Sequence, residues 1–143
     1  MKKVSLLLLF ISNISAQAPD TLWTKTFGGI NNDYGNSVQQ TNDGGYIIGG
    51  STESFGNGQS DIWLIKTDDN GDTLWSNTFG GSDHEVGGLV QQSQDGGYII
   101  ASTIKDSAIS SSDGDIWLIK TDDNGDTLWS NTFGGVNGDY CNS

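Results

Sequence analysis

Arginine is missing from this 143-residue chain, and cysteine, proline, histidine and methionine occur once each. Each scarcity narrows the function classes. A single cysteine, Cys141, rules out an intramolecular disulfide. Cys141 and His84, lone members of their types, give little support for a zinc centre or a Cys–His nucleophilic pair. Six lysines against 18 acidic residues leave a net charge of −12. Such a surface repels phosphate backbones and anionic lipid, so nucleic acid and membrane surfaces are disfavoured partners, while cations and neutral polymers stay open. One proline beside 21 glycines points to tight turns and few rigid linkers. No segment keeps a 3.6-residue apolar period, so helices are not expected. No phosphate-binding loop, nucleophile elbow or basic patch is present.

The one long apolar run lies at the N-terminus, MKKVSLLLLFISNISAQA. Lys2 and Lys3 form a positive region, Val4 to Ile11 an apolar stretch too short to span a bilayer, and Ser15, Ala16 and Ala18 a small-residue exit. The pattern predicts a secretory signal peptide over residues 1–16, cleaved after Ala16. Cleavage after Ala18 would put Pro19 directly behind the cut, and an uncleaved anchor is the other reading. No cysteine follows the apolar stretch to carry a lipid. The mature chain, 17–143, keeps four lysines against the 18 acids. No membrane insertion is expected once the leader is gone.

What the chain has in abundance is itself. DIWLIKTDDNGDTLWSNTFGG at 61–81 returns unchanged at 115–135. DTLW begins at Asp20, Asp72 and Asp126, and DGGYII at Asp43 and Asp95. The period is 52 residues, then 54. The difference falls in one stretch, STESFGNGQS in the first copy and STIKDSAISSSDG in the second, where only a surface loop tolerates such drift.

One period predicts four short strands: Gly35 to Thr41, Tyr46 to Thr52, Asp61 to Thr67 and Asp72 to Phe79. Asn42-Asp43-Gly44-Gly45 and Asp69-Asn70-Gly71 supply the positive φ values of tight hairpins. Ile62-Trp63-Leu64-Ile65, apolar on both faces, suits a strand buried between two sheets. Four antiparallel strands at a period near fifty residues are the signature of a β-propeller blade. The expected fold is all-β: an incomplete propeller with two complete blades, near 35–79 and 86–133. A leading orphan strand near 20–27 would be the fourth strand of a preceding blade. Trp63, Trp75, Trp117 and Trp129 are expected to fill the spaces between blades, with a sugar-binding face as the alternative.

The string FGG…DYGNSVQQTNDGGYIIGGST…DIWLIKTDDNGDTLW resembles the repeats of large secreted β-propeller proteins, many of which end in a type IX secretion sorting domain. The resemblance covers most of 20–143. It implies an extracellular propeller module of unassigned activity, sometimes fused to an enzyme. A looser likeness joins Asp68, Gly71 and Trp75 to quinoprotein-type propeller repeats. Another joins Thr67, Asp69, Gly71 and Thr73 to the Asp-box hairpin. Neither likeness transfers a catalytic residue.

Two sets of acids are candidate sites. Asp68, Asp69 and Asp72 crowd one turn, and Asp122, Asp123 and Asp126 copy them. These turns are the candidate calcium ligands, with a plain solvated turn as the alternative. An EF-hand is excluded, because Gly71 and Phe79 stand where that loop needs other residues. Asp33, Glu85 and Asp139 recur at one position after the FGG turn, either lining a channel mouth or capping the turn. His84, found in one copy, reads as an exposed loop residue. Near-identical repeats argue against a glycosidase carboxylate pair, because an active site breaks repeat symmetry.

The function expected is therefore an exported, non-enzymatic propeller module for binding or scaffolding. The alternative is the accessory propeller of a secreted polysaccharide-degrading enzyme. The third copy breaks off at VNGDYCNS, where the first continues into a hairpin. The chain is therefore expected to be a fragment of a longer protein, and two blades with open faces are expected to self-associate.

Overall fold

The computed structural model describes residues 21–105, 114–135, 138, 139 and 141. The predicted leader, Asp20 and most of the second variable loop lie outside these residues. Among the described residues there are eight strands and no helix: β1 (Asp33–Gln40), β2 (Tyr46–Thr52), β3 (Asp61–Thr67), β4 (Thr73–Phe79), β5 (His84–Gln92), β6 (Tyr98–Lys105), β7 (Gly114–Thr121) and β8 (Thr127–Phe133). They form two four-stranded antiparallel sheets, β1-β2-β3-β4 and β5-β6-β7-β8, each in sequence order. The expected strands match within two residues at their ends.

Turn chemistry sets this order. Gly44 and Gly96 adopt φ of 91° and 90°, and Gly71 and Gly125 adopt 78° and 83°, a region that costs side-chain-bearing residues energy. In the first turn type, Thr41 and Gly45 close the loop backbone to backbone at 2.9 Å. Asp43 accepts from the Thr41 hydroxyl and the Gly45 amide, and takes an ion pair from Lys66 at 2.8 Å. Ser93, Asp95 and Lys120 repeat the arrangement in the second sheet. A lysine on strand three thus ties down the β1–β2 and β5–β6 turns.

The sheets stack face to face. Period-two alternation and the strand register put Ile47, Gly49, Ile62, Leu64, Trp75 and Phe79 on one face of the first sheet. That face meets Val90, Tyr98, Ile100, Trp117 and Ile119 of the second sheet in one core. Full burial of each aliphatic contributes roughly 1.5–3 kcal/mol. The backbones approach closely where β2 meets β5: a Cβ on Gly49 would strike the Gly88 carbonyl. Side chains stitch the rest. Ser37 donates to the Gly88 carbonyl at 3.0 Å and accepts from the Val90 amide at 2.8 Å. Gln39 and Gln92 each accept a backbone amide from the other sheet.

Identical residues fare differently in the two copies. Ile62 and Leu64 are fully buried, whereas Ile116 and Leu118 are half-buried. Trp75 packs edge-on to Tyr98 with centroids 5.8 Å apart, whereas Trp129 is 44% exposed. The expectation that all four tryptophans fill inter-sheet space holds for Trp75 and Trp117. It fails for Trp129, because no described third sheet covers it. It also fails for Trp63, which faces away from the second sheet and rests against Phe55 at 5.2 Å.

Residues 21–29 form no strand, correcting the expected orphan strand. They still occupy a recognisable seat. Trp23 packs on Tyr46 at 5.7 Å and 67°, as Trp75 packs on Tyr98 at 5.8 Å and 65°. A Cβ on Gly71 would press on the Trp23 ring, and one on Gly125 would press on the Trp75 ring. TLWTKTFGG at 21–29 thus lies on the first sheet as TLWSNTFGG at 73–81 lies on the second.

Candidate functional site

The hairpin acids serve the turns themselves. Asp68 Oδ1 accepts the Asn70 amide at 2.9 Å and the Asp72 amide at 2.8 Å. Asp69 accepts the Asn70 side-chain amide at 2.8 Å, and Asp72 pairs with Lys25 at 2.6 Å. Asp122 and Asp123 repeat the first two roles, with Asp126 donating its amide to Asp122. The carboxylates of Asp68, Asp69, Asp122 and Asp123 are thus oriented by amides donated from within each loop. Among the described residues no three His, Cys, Asp or Glu side chains group as a ready metal centre.

The acids after the FGG turns are more informative. Asp33 accepts the Gly29 amide at 2.8 Å, the Ser54 hydroxyl at 2.8 Å and the Thr52 hydroxyl. Burial pushes its pKa up, but these bonds outweigh it and hold the group below the ordinary carboxylate value. Asp33 is a turn cap, the second of the two readings.

Glu85 holds the same place in the next repeat with different neighbours. Register pairs Asp33 with Thr52, but Glu85 with Ile104, so a donating hydroxyl has become a hydrocarbon. The Glu85 side chain is fully buried, and its one described donor is the Gly81 amide at 3.4 Å. Oε1 has no partner. Asp61, 2% exposed, opens β3 of the other sheet and faces the same spot. A Cβ on Gly80 would collide with both Asp61 Oδ1 and Glu85 Oε2, so the two carboxylates converge over that glycine. Burial raises the pKa of Glu85 to about 7, helped by the charges of Asp61 and Asp83 against a pull from the Gly81 amide. Burial also raises Asp61, against a bond from the Asn57 amide.

The junction is held by backbone. Ser60 and His84 form a parallel bridge between the sheets, the Glu85 amide donates to the Ser60 carbonyl at 2.9 Å, and the Ser60 hydroxyl donates to the Glu85 carbonyl at 3.0 Å. His84 is therefore a half-buried strand residue with an unpartnered Nδ1, correcting the exposed-loop reading. Asp139 donates its amide to the Gly114 carbonyl at 2.6 Å, and a Cβ on Gly134 would collide with Asp115. The Asp61–Gly80 contact thus recurs as Asp115–Gly134, while Asp139, in the place of Glu85, is exposed. Cys141 is a free thiol whose amide reaches the Thr103 hydroxyl at 3.3 Å.

A cleft of about 160 Å³ lies beside residues 21–29, lined by Phe27, Asp33, Tyr34, Ile48, Trp63 and Ile65 among others. Its one acid is Asp33, already engaged in capping, so the lining suits apolar or aromatic contact. Sequence reasoning placed Glu85 in its recurring position but missed Asp61. The signal available was the recurrence of an Asp at the head of both DIWLIK strands.

No protein-family model matches the chain, and no curated protein sequence matches it.

Proposed function

We propose that the two sheets are consecutive blades of a β-propeller-type array, exported from the cell, and that the module binds or scaffolds without catalysing a reaction. One observation carries this reading: residues 21–29 lie on the first sheet as the region of β4 lies on the second, so a single stacking step is written twice. Stacked blades bury faces that one blade leaves open, the physical reason such repeats exist. The partner class is an extracellular protein or a neutral polysaccharide, in keeping with the acidic charge. The apolar cleft and the exposed aromatics Tyr34 and Trp129 are the surfaces offered.

The test is binding without turnover. The exported chain is passed over arrayed glycans and over native secreted polymers, with reducing ends assayed in parallel. Retention without release of sugar supports the reading. Release of sugar by the chain overturns it in favour of an enzyme.

A further inference from the structure

We propose that Asp61 and Glu85 form a divalent-cation site, with calcium the ion of choice, clamping the junction between the two sheets. Buried carboxylates carry a heavy desolvation cost unless paired or neutralised. Asp33 shows what a satisfied acid looks like at this position, with three donors. Glu85 has one long bond, a bare Oε1 and a second buried carboxylate facing it. A cation between the two acids would take the place of the missing hydroxyls, and a hard cation takes carboxylate oxygen in preference to nitrogen or sulfur. Gly80 supplies the space, because any side chain there would fill the gap between the two acids. Calcium draws six to eight oxygens, so water and backbone carbonyls complete its shell around the two carboxylates. The site is separate from the DDNGD hairpins, where Asp68 and Asp122 are turned inward on loop amides.

The proposal rests on the junction geometry and stands or falls apart from the binding-module reading. Calorimetric titration of the exported chain with calcium chloride is the test, with magnesium chloride as comparator and thermal unfolding alongside. The expected result is one saturable site with a dissociation constant of about 10⁻⁴–10⁻³ M, the range of extracellular calcium modules. A rise in melting temperature reversed by chelator should accompany it. Glu85→Gln and Gly80→Ala should each abolish the heat and the rise while keeping the β-sheet circular dichroism of the parent. Asp69→Asn with Asp123→Asn should leave both intact. A parent chain with no calcium heat overturns the proposal. So does a response that survives Glu85→Gln or disappears with the hairpin double variant.

Discussion

Asp43 and Lys66 are 23 residues apart and meet at 2.8 Å, the lysine 5% and the aspartate 59% exposed by side chain. The Lys66 ammonium is the largest influence holding the Asp43 pKa down at about 2, from an ordinary 3.8. A lowered acid pKa stabilises the fold above its ordinary value and loses that contribution as pH falls toward the lowered one. Exposure of Asp43 screens the pair, so the effect is smaller than the shift alone implies. Asp43→Asn removes the charge that neutralises a buried lysine. The expected cost is about 1–2 kcal/mol at neutral pH, with a flatter acid limb between pH 3.8 and about 2. Urea unfolding of parent and variant across that limb measures both. The ion pair was not legible in advance: Asp43 was read as turn chemistry, and nothing local points from a turn to a lysine on the third strand.

At the scale of elements, the strands and turns were legible because they are written locally. Alternation, β-branched runs and Asn-Gly or Asp-Gly steps placed the four strands of the first copy within two residues at their ends. Burial was not legible. DIWLIKT is one sequence in two strands, and its first Ile and its Leu are buried in β3 (Ile62, Leu64) but half-exposed in β7 (Ile116, Leu118). The cause is whether another sheet lies against that face, which the heptapeptide does not encode. The Asp61–Glu85 convergence escaped for the same reason, since the two acids open strands of different sheets. The sheets themselves are held close by a glycine. Gly49→Ala would drive a Cβ into the Gly88 carbonyl and should cost roughly 1–3 kcal/mol as the sheets separate. Gly35, in the adjacent strand, has nothing within 4 Å of an added Cβ. Gly35→Ala should shift the urea midpoint far less than Gly49→Ala. Equal shifts from the two variants would deny the close approach of β2 and β5.

At the scale of the molecule, both outer faces carry apolar side chains. Val38 is 66% and Tyr34 55% exposed at one end, and Phe133 54% and Trp129 44% at the other. Faces and edge strands of this kind recruit further sheet. The chain should therefore self-associate as concentration rises, and light scattering across a dilution series should show the apparent mass climbing. A constant monomer mass to high micromolar concentration would contradict this. One stacking step, repeated, gives identical sequences different energies according to what covers them. Trp75 and Trp129 lie in the same SNTF-containing strand sequence, one packed on Tyr98 and one 44% exposed. Urea unfolding of Trp75→Ala and Trp129→Ala at a concentration where the parent is monomeric tests it most directly. The expected loss is about 2–4 kcal/mol for Trp75→Ala and under about 1 kcal/mol for Trp129→Ala. Equal losses from the two variants would contradict it.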